Sequence, residues 1–275
     1  MPDDWGEDAT RRAKAALITT TVPNAARVAD YLYGGQSNFE ADRKAARALA
    51  AMAPSITTIP PAALAFQQRA LQFLVTEAGI TQFIDIGTGL PLVGATHQVA
   101  QSIVPECRVV YVDNDPMVLS HARALLKSAP GGAVGYVDAD VRDSAAIVTG
   151  ARETLDLGRP TSVLLLFTLA YVPDAAEAAA VVSSLAAAMP SGSYVAIYHL
   201  ASDLDPALKE ASREWNKMMP AQPVTPRTRA EVAELAAGLE QVAPGLVPIN
   251  EWRPAPDDPQ FDHVVPLHAL VARKP

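Results

Sequence analysis

From Thr81 onward, short apolar runs rich in β-branched residues alternate with alanine-rich stretches of helical length. That alternation restricts the chain to a parallel sheet with helices on both faces, because each crossover between parallel strands needs a helix and each helix needs a sheet face to cover. Strands are expected at 82–86, 108–112, 134–137, 162–167 and 194–198, with helices at 92–103, 116–127, 144–151 and 175–188 between them. The implied class is a doubly wound α/β sheet. A helix near 229–239 and two further strands, near 246–249 and 264–272, complete it, and the proline-rich acidic run 252–262 reads as a surface loop. A composition of 49% hydrophobic against 19% charged residues over 275 positions supplies enough apolar surface to bury both sheet faces.

Residues 1–80 carry no convincing strand, and four helical stretches are expected near 13–20, 25–32, 38–53 and 61–78. Gly34 and Gly35 break the second from the third, and Ser37 with Glu40 has the spacing of a capping box for the restart. Pro61 suits a first helical turn and Gly79 the position just past a helix end. Asp115-Pro116, Asp205-Pro206 and Thr225-Pro226 each place a capping side chain before a proline suited to open a helix. The organisation expected is a helical cap, 1–80, followed by a sheet domain, 81–275.

The most informative local pattern is Phe83-Ile84-Asp85-Ile86-Gly87-Thr88-Gly89-Leu90-Pro91, a strand running into a glycine turn ahead of a helix. Gly87 and Gly89 let the backbone turn tightly and let a ligand approach it. The dinucleotide pattern G-x-G-x-x-G, counted from Gly87, fails at Leu92. Asp85 at the strand end would repel a pyrophosphate and attract the ammonium of an amino-acid moiety, which favours S-adenosylmethionine over a nicotinamide dinucleotide. Asp113 ends the next strand, 24 residues after Gly89, where a carboxylate can accept from both ribose hydroxyls. Asn114 follows it beside the expected adenine, and Asp115 is better explained as a helix cap. One unit later, Asp140 is placed to accept from an adenine amino group while the Val141 N–H donates to a ring nitrogen; a turn-capping role for Asp138 or Asp140 is the competing reading.

The formal charge of −8 and the lack of any basic run argue against a nucleic-acid partner and favour a small-molecule substrate. The most apolar run, 162–172, is too short to span a membrane, which takes about 18 or more residues. Met1-Pro2-Asp3-Asp4 lacks the charged-then-apolar start of a signal peptide, so a cytoplasmic location is expected. A single cysteine, Cys107, excludes an intramolecular disulfide and reads as buried packing. His97, His121, His263 and His268 show no ligand spacing, so no metal is expected. Oligomeric state is not legible.

The run 83–126 resembles the nucleotide-binding half of class I S-adenosylmethionine-dependent methyltransferases. More narrowly, Ala26-Arg27-Val28-Ala29-Asp30-Tyr31-Leu32-Tyr33-Gly34-Gly35, then Asn38-Phe39 and Ala41-Asp42-Arg43, resemble an actinobacterial methyltransferase group once catalogued as a domain of unknown function. The likeness continues through the glycine turn to Gly238-Leu239-Glu240, Pro244-Gly245-Leu246-Val247-Pro248 and Trp252-Arg253-Pro254. The resemblance implies a Rossmann-like sheet of seven strands, the last antiparallel, under an N-terminal helical cap. It puts Asp85, Gly87 and Gly89 at the methionine end, Asp113 at the ribose, Asp140 with Val141 at the adenine, and the segment around Arg27, Tyr31, Gly34 and Gly35 at the pocket wall. Two departures stand out: Ala63-Leu64 where an Asn-Arg pair is expected, and Ala170-Tyr171 where relatives tend to carry Leu-His.

The function expected is methyl transfer from S-adenosylmethionine to a small acceptor. Tyr171, Tyr198 and His199, at the ends of strands four and five, are the candidate catalytic residues, with a local structural role as the alternative for each. The competing functions are a non-catalytic protein that holds S-adenosylmethionine or its demethylated product, and a nicotinamide-dependent oxidoreductase.

Overall fold

The computed structural model describes residues 19–91 and 94–275. Five strands of the sheet are parallel, with β3 at one edge: β1 (Gln82–Ile86), β2 (Arg108–Asp113), β3 (Ala133–Asp138), β4 (Ser162–Leu166) and β5 (Tyr194–Leu200). Two short segments, β6 (Glu240–Gln241) and β7 (Val247–Pro248), and a long strand β8 (Leu267–Arg273) complete it in the order β3-β2-β1-β4-β5-β8-β6, with β7 also on β8. β8 lies antiparallel to β5 over seven residue pairs. The strand order reverses between β1 and β4, and a crevice opens at such a switch point, beyond the carboxyl ends of the strands. The expected seventh-strand arrangement holds, but the outer edge is two fragments rather than one strand. Pro244 and Pro248 lack the N–H that continuous pairing would need.

Nine helices are described: α1 (Ala25–Leu32), α2 (Glu40–Met52), α3 (Ile59–Thr76), α4 (Thr96–Ile103), α5 (Pro116–Leu125), α6 (Ser144–Ala151), α7 (Ala175–Ala187), α8 (Leu208–Met218) and α9 (Arg229–Leu235). β1 is buried along its whole length, and its alternation divides two cores. Ile84 and Ile86 join Val110, Val163 and Ile197 on one face. Phe83 joins Tyr111, Leu164 and the α3 residues Phe66 and Leu71 on the other, so Asp85 shares that second face. α1 and α2 form a hairpin whose small core, Val28, Ala45 and Ala46, closes on Met219 just beyond α8. The N-terminal helices and α8 therefore stand on the same side of the sheet as Asp85.

Several local expectations shift. α2 starts at Glu40, because the Asp42 carboxylate accepts from the Phe39 N–H at 2.8 Å, and the Ser37–Glu40 box does not form. Glu40 pairs with Arg43 and Arg47 instead. Thr225-Pro226 opens no helix; α9 begins three residues on, where Thr228 and Glu231 form a reciprocal cap. Trp252 is no surface residue: its ring is fully buried against Phe66 and Phe73, and Arg69 donates to its carbonyl at 2.8 Å. Gly79 does close α3, at φ 69°, with the Ile80 N–H returning to the Leu74 carbonyl. Asp205-Pro206 does precede a helix: Asp205 Oδ1 accepts from the Ala207 N–H at 2.9 Å, and α8 follows from Leu208, two residues after the proline. The stretch 13–20 lies outside the described residues except Thr19 and Thr20, which are not helical, and Leu92 and Val93 also lie outside them, with α4 beginning at Thr96. Among the described residues, no single helix is long and apolar enough to cross a membrane, and no group of three or more His, Cys, Asp or Glu is placed to hold a metal ion.

Candidate functional site

The turn after β1 is held by two left-handed glycines that do different things. Gly87, at φ 74°, donates its N–H to the Val112 carbonyl at 2.7 Å, which ties the turn to β2. A Cβ at Gly87 would fall on the Thr168 side chain, whose hydroxyl donates to the Ile86 carbonyl; the turns after β1 and β4 are thereby in direct contact. Gly89, at φ 64°, has nothing within 4 Å of where a Cβ would stand, so its surface is open. Its N–H donates to Asp113 Oδ2 at 3.1 Å, and Asp113 Oδ1 accepts from the Asp115 N–H at 2.9 Å. A carboxylate has about four acceptor sites, so Asp113 keeps capacity for a ligand after bracing both turns. Asp115 caps α5 through the Met117 N–H and also accepts from Asn24 Nδ2 at 3.0 Å, which fastens the start of α1 to the end of β2.

A cavity of about 400 Å³ opens at these strand ends, a volume suited to a small molecule. Asp85, Gly87, Gly89 and Asp113 line it, as do Asn114, Asp140 and Val141, and Tyr171 and Tyr198 form part of the wall beyond β4 and β5. Asp140 accepts from Asn114 Nδ2 at 3.0 Å and from the Arg142 N–H at 2.9 Å, and the Arg142 guanidinium continues to the Tyr171 carbonyl.

Arg27, Tyr31, Gly34, Gly35 and His199 do not line the cavity. Arg27 forms a buried ion pair with Asp42 at 2.8 Å and donates to the Thr19 and Val22 carbonyls, fastening α1 to α2. Gly34 ends α1 at φ 78°, and Gly35 packs so closely on the Asp30 carboxyl that no Cβ would fit. Asp30 and Tyr33 line the cavity from this segment. His199 Nδ1 donates to the Leu200 carbonyl and Nε2 accepts from Arg227 at 2.7 Å; burial pushes the imidazole down to about 4, so it is neutral. Arg227 also donates to the carbonyls of Leu169 and Val172, and this pair braces the turn after β4 from behind. Of the two departures, Leu64 and Tyr171 line the cavity, whereas Ala63 and Ala170 are buried in the core.

Burial pushes the carboxyls of Asp85 and Asp113 up to about 6 each, and the Asp113 charge adds to the rise at Asp85. Thr96 Oγ1 donates to Asp85 at 2.6 Å and opposes that rise. Burial also raises the phenols of Tyr33, Tyr171 and Tyr198, so all three stay protonated. Asp30, Tyr33, Phe167, Thr168 and Trp215 all line the cavity without having been singled out as site residues. Asp30 and Tyr33 lie inside the N-terminal pattern that carries the resemblance, directly beside Tyr31 and Gly34; Trp215 sits on α8, where no residue carried a site signal.

The S-adenosyl methyltransferase family matches residues 11–275. The chain belongs to that family. A DUF574 family protein from Streptomyces avermitilis is 38% identical to this chain, with a TM-score of 0.88 over 93% of this chain and 99% of its own. A candidate methyltransferase from Thermobifida fusca is 37% identical, with a TM-score of 0.83 over 92% of this chain and 96% of its own. At 13% identity and a TM-score of 0.54, the plantazolicin methyltransferase BamL shares the fold over 98% of this chain and 99% of its own. No curated protein matches the chain. Family and fold together make S-adenosylmethionine the implied methyl donor.

Proposed function

We propose that this methyltransferase holds S-adenosylmethionine along the carboxyl ends of β1, β2 and β3 and transfers its methyl group to a small acceptor that enters beside β4 and β5. One observation carries the reading: Asp85, Asp113 and Asp140, from three adjacent strand ends, line a single cavity together with the open face of Gly89. Asp85 supplies a counter-charge for the amino-acid ammonium, Asp113 accepts from the ribose hydroxyls, and Asp140 with the Val141 N–H meets the adenine edge. Asn114 reaches the adenine side through its bond to Asp140. When bound, the donor supplies a methyl group on a positively charged sulfur. The chain's own part is to orient that sulfur, exclude water and place a nucleophile in line with it. Residues 1–80 act as a cap on the binding domain 81–275, with α3 packed on the sheet and the Asn24–Asp115 bond holding α1 over the crevice.

Calorimetric titration with S-adenosylmethionine and S-adenosylhomocysteine tests the donor site. Saturable binding of both is expected; absence of binding at millimolar ligand, with tight binding of NAD instead, overturns the reading in favour of an oxidoreductase. Release of labelled methyl groups onto any acceptor in a screened panel separates turnover from mere ligand holding.

A further inference from the structure

Two features of the cavity wall bear on the acceptor. The first is charge. Among the described residues, Asp30, Asp85, Asp113, Asp115 and Asp140 line the cavity, and the cation Arg142 is held by Asp140 at 3.1 Å and Glu177 at 3.3 Å. No lysine or histidine lines it among the described residues. S-adenosylmethionine carries one net positive charge and leaves this field negative, so an anionic acceptor would enter against repulsion.

The second feature is a cluster of rings beside those carboxylates. Tyr171 stands between Phe167, with ring centroids 5.8 Å apart, and Trp215, at 6.4 Å. Phe167 lies 6.3 Å from Tyr198, and Tyr33 lines the same cavity. Tyr33, Phe167, Tyr171, Tyr198 and Trp215 line the same cavity as Asp85 and Asp113, so rings and carboxylates bound one space. Leu32, Leu49, Ile56, Leu200 and Val224 continue the wall as an apolar lining. Rings of this kind attract a cation placed over their faces, the more so when water is excluded. The phenols stay protonated, and Asp85, Asp113 and Asp140 are engaged by the donor, which among the described residues leaves only Asp30 and the helix-capping Asp115 as carboxylates for an alcohol's proton; an amine in its neutral form brings its own lone pair.

We infer that the acceptor is an amine on an apolar body, seated among Tyr33, Tyr171, Tyr198, Phe167 and Trp215; this rests on the donor site proposed above. An amine that arrives as ammonium first gives its proton to water, and the neutral nitrogen then uses its lone pair to form the new N–C bond while the C–S bond breaks, its electron pair returning to sulfur. Sulfonium becomes thioether and amine becomes ammonium, so the positive charge moves from sulfur to nitrogen within one set of rings and carboxylates. Any proton on the product nitrogen leaves to water after release.

The test uses the full chain saturated with S-adenosylhomocysteine and titrated calorimetrically with benzyltrimethylammonium, 2-phenylethanol and 3-phenylpropanoate. The cation is expected to bind at least tenfold tighter than the alcohol, and the carboxylate most weakly. Tyr171→Leu should reduce the preference for the cation at least fivefold, while Tyr171→Phe, which keeps the ring, should retain it, with thermal unfolding as the check on folding. Should Tyr171→Leu fail to fold, Trp215→Leu removes a ring from the same cluster and is read in the same way. Equal binding of cation and alcohol, a preference for the carboxylate, or equal loss in the Phe and Leu variants overturns the inference. Failure of S-adenosylhomocysteine to bind removes the donor site and the inference with it, whereas its binding without a cation preference removes only the inference.

Discussion

Asp85→Asn should make the protein more stable and a poorer binder of its donor. Asp85 is only 6% exposed, and burial raises its carboxyl from 3.8 to about 6. That shift of about two units corresponds to ~3 kcal/mol by which ionised Asp85 destabilises the fold above pH 6. The sign follows from proton uptake: between about 4 and 6 the folded chain binds more protons here than the unfolded chain, so stability falls as pH rises through that window and then levels. Asparagine removes the charge, and its amide oxygen can still accept from Thr96 Oγ1. Allowing for a weaker bond there, a net gain of roughly 2 kcal/mol at pH 7.5 is expected, or roughly 5 °C in the unfolding midpoint. In the same variant, loss of the counter-charge should weaken S-adenosylmethionine binding roughly ten- to a hundredfold. Thermal unfolding of both proteins at pH 7.5 and pH 4 checks the first half, and calorimetry the second. A variant less stable at pH 7.5, or one whose advantage persists undiminished at pH 4, refutes the reasoning about the buried charge.

Asp113→Ala should weaken donor binding at least tenfold, since each charge-assisted bond to a ribose hydroxyl contributes roughly 1.5–3 kcal/mol, and circular dichroism should show the fold retained. Gly87→Ala should cost roughly 2–4 kcal/mol in urea unfolding, from a left-handed backbone and the Thr168 contact. Gly89→Ala, in open space, should cost less stability than Gly87→Ala but lower donor affinity by crowding the ligand's approach. Asn24→Ala removes both the α1 cap and the bond to Asp115; a loss of about 1 kcal/mol in urea unfolding and faster donor dissociation by stopped flow are expected.

The parallel core was legible because β1, β2, β4 and β5 are buried for most of their length and appear as apolar runs, with β3 half-buried at the edge: β1 and α6 fall on the expected residues, and β2 to β5 within two at either end. The edge was less legible, since β6 and β7 are two residues each and owe their existence to β8. Trp252 looked exposed amid prolines and acids; only the fold brings Phe66, Phe73 and Arg69 around it. The strand-end residues could be placed because the βα repeat sets where strands stop. The cap could not be resolved to individual side chains, because a helix offers a different face at each position: Arg27 and Tyr31 turn away where Asp30 and Tyr33 turn in. His199 sits where an acceptor-side residue was expected, yet the alternation of β5 sends it to Arg227 and sends Tyr198 to the cavity.

The most direct test of the central claim is a crystal structure with S-adenosylhomocysteine bound. The nucleoside should lie over Gly89 with both ribose hydroxyls within hydrogen-bond distance of the Asp113 carboxylate, the amino-acid ammonium toward Asp85, the adenine against Asp140 and Val141, and the sulfur facing Tyr171. Ligand density elsewhere in the molecule, or a ribose that does not touch Asp113, would contradict the account.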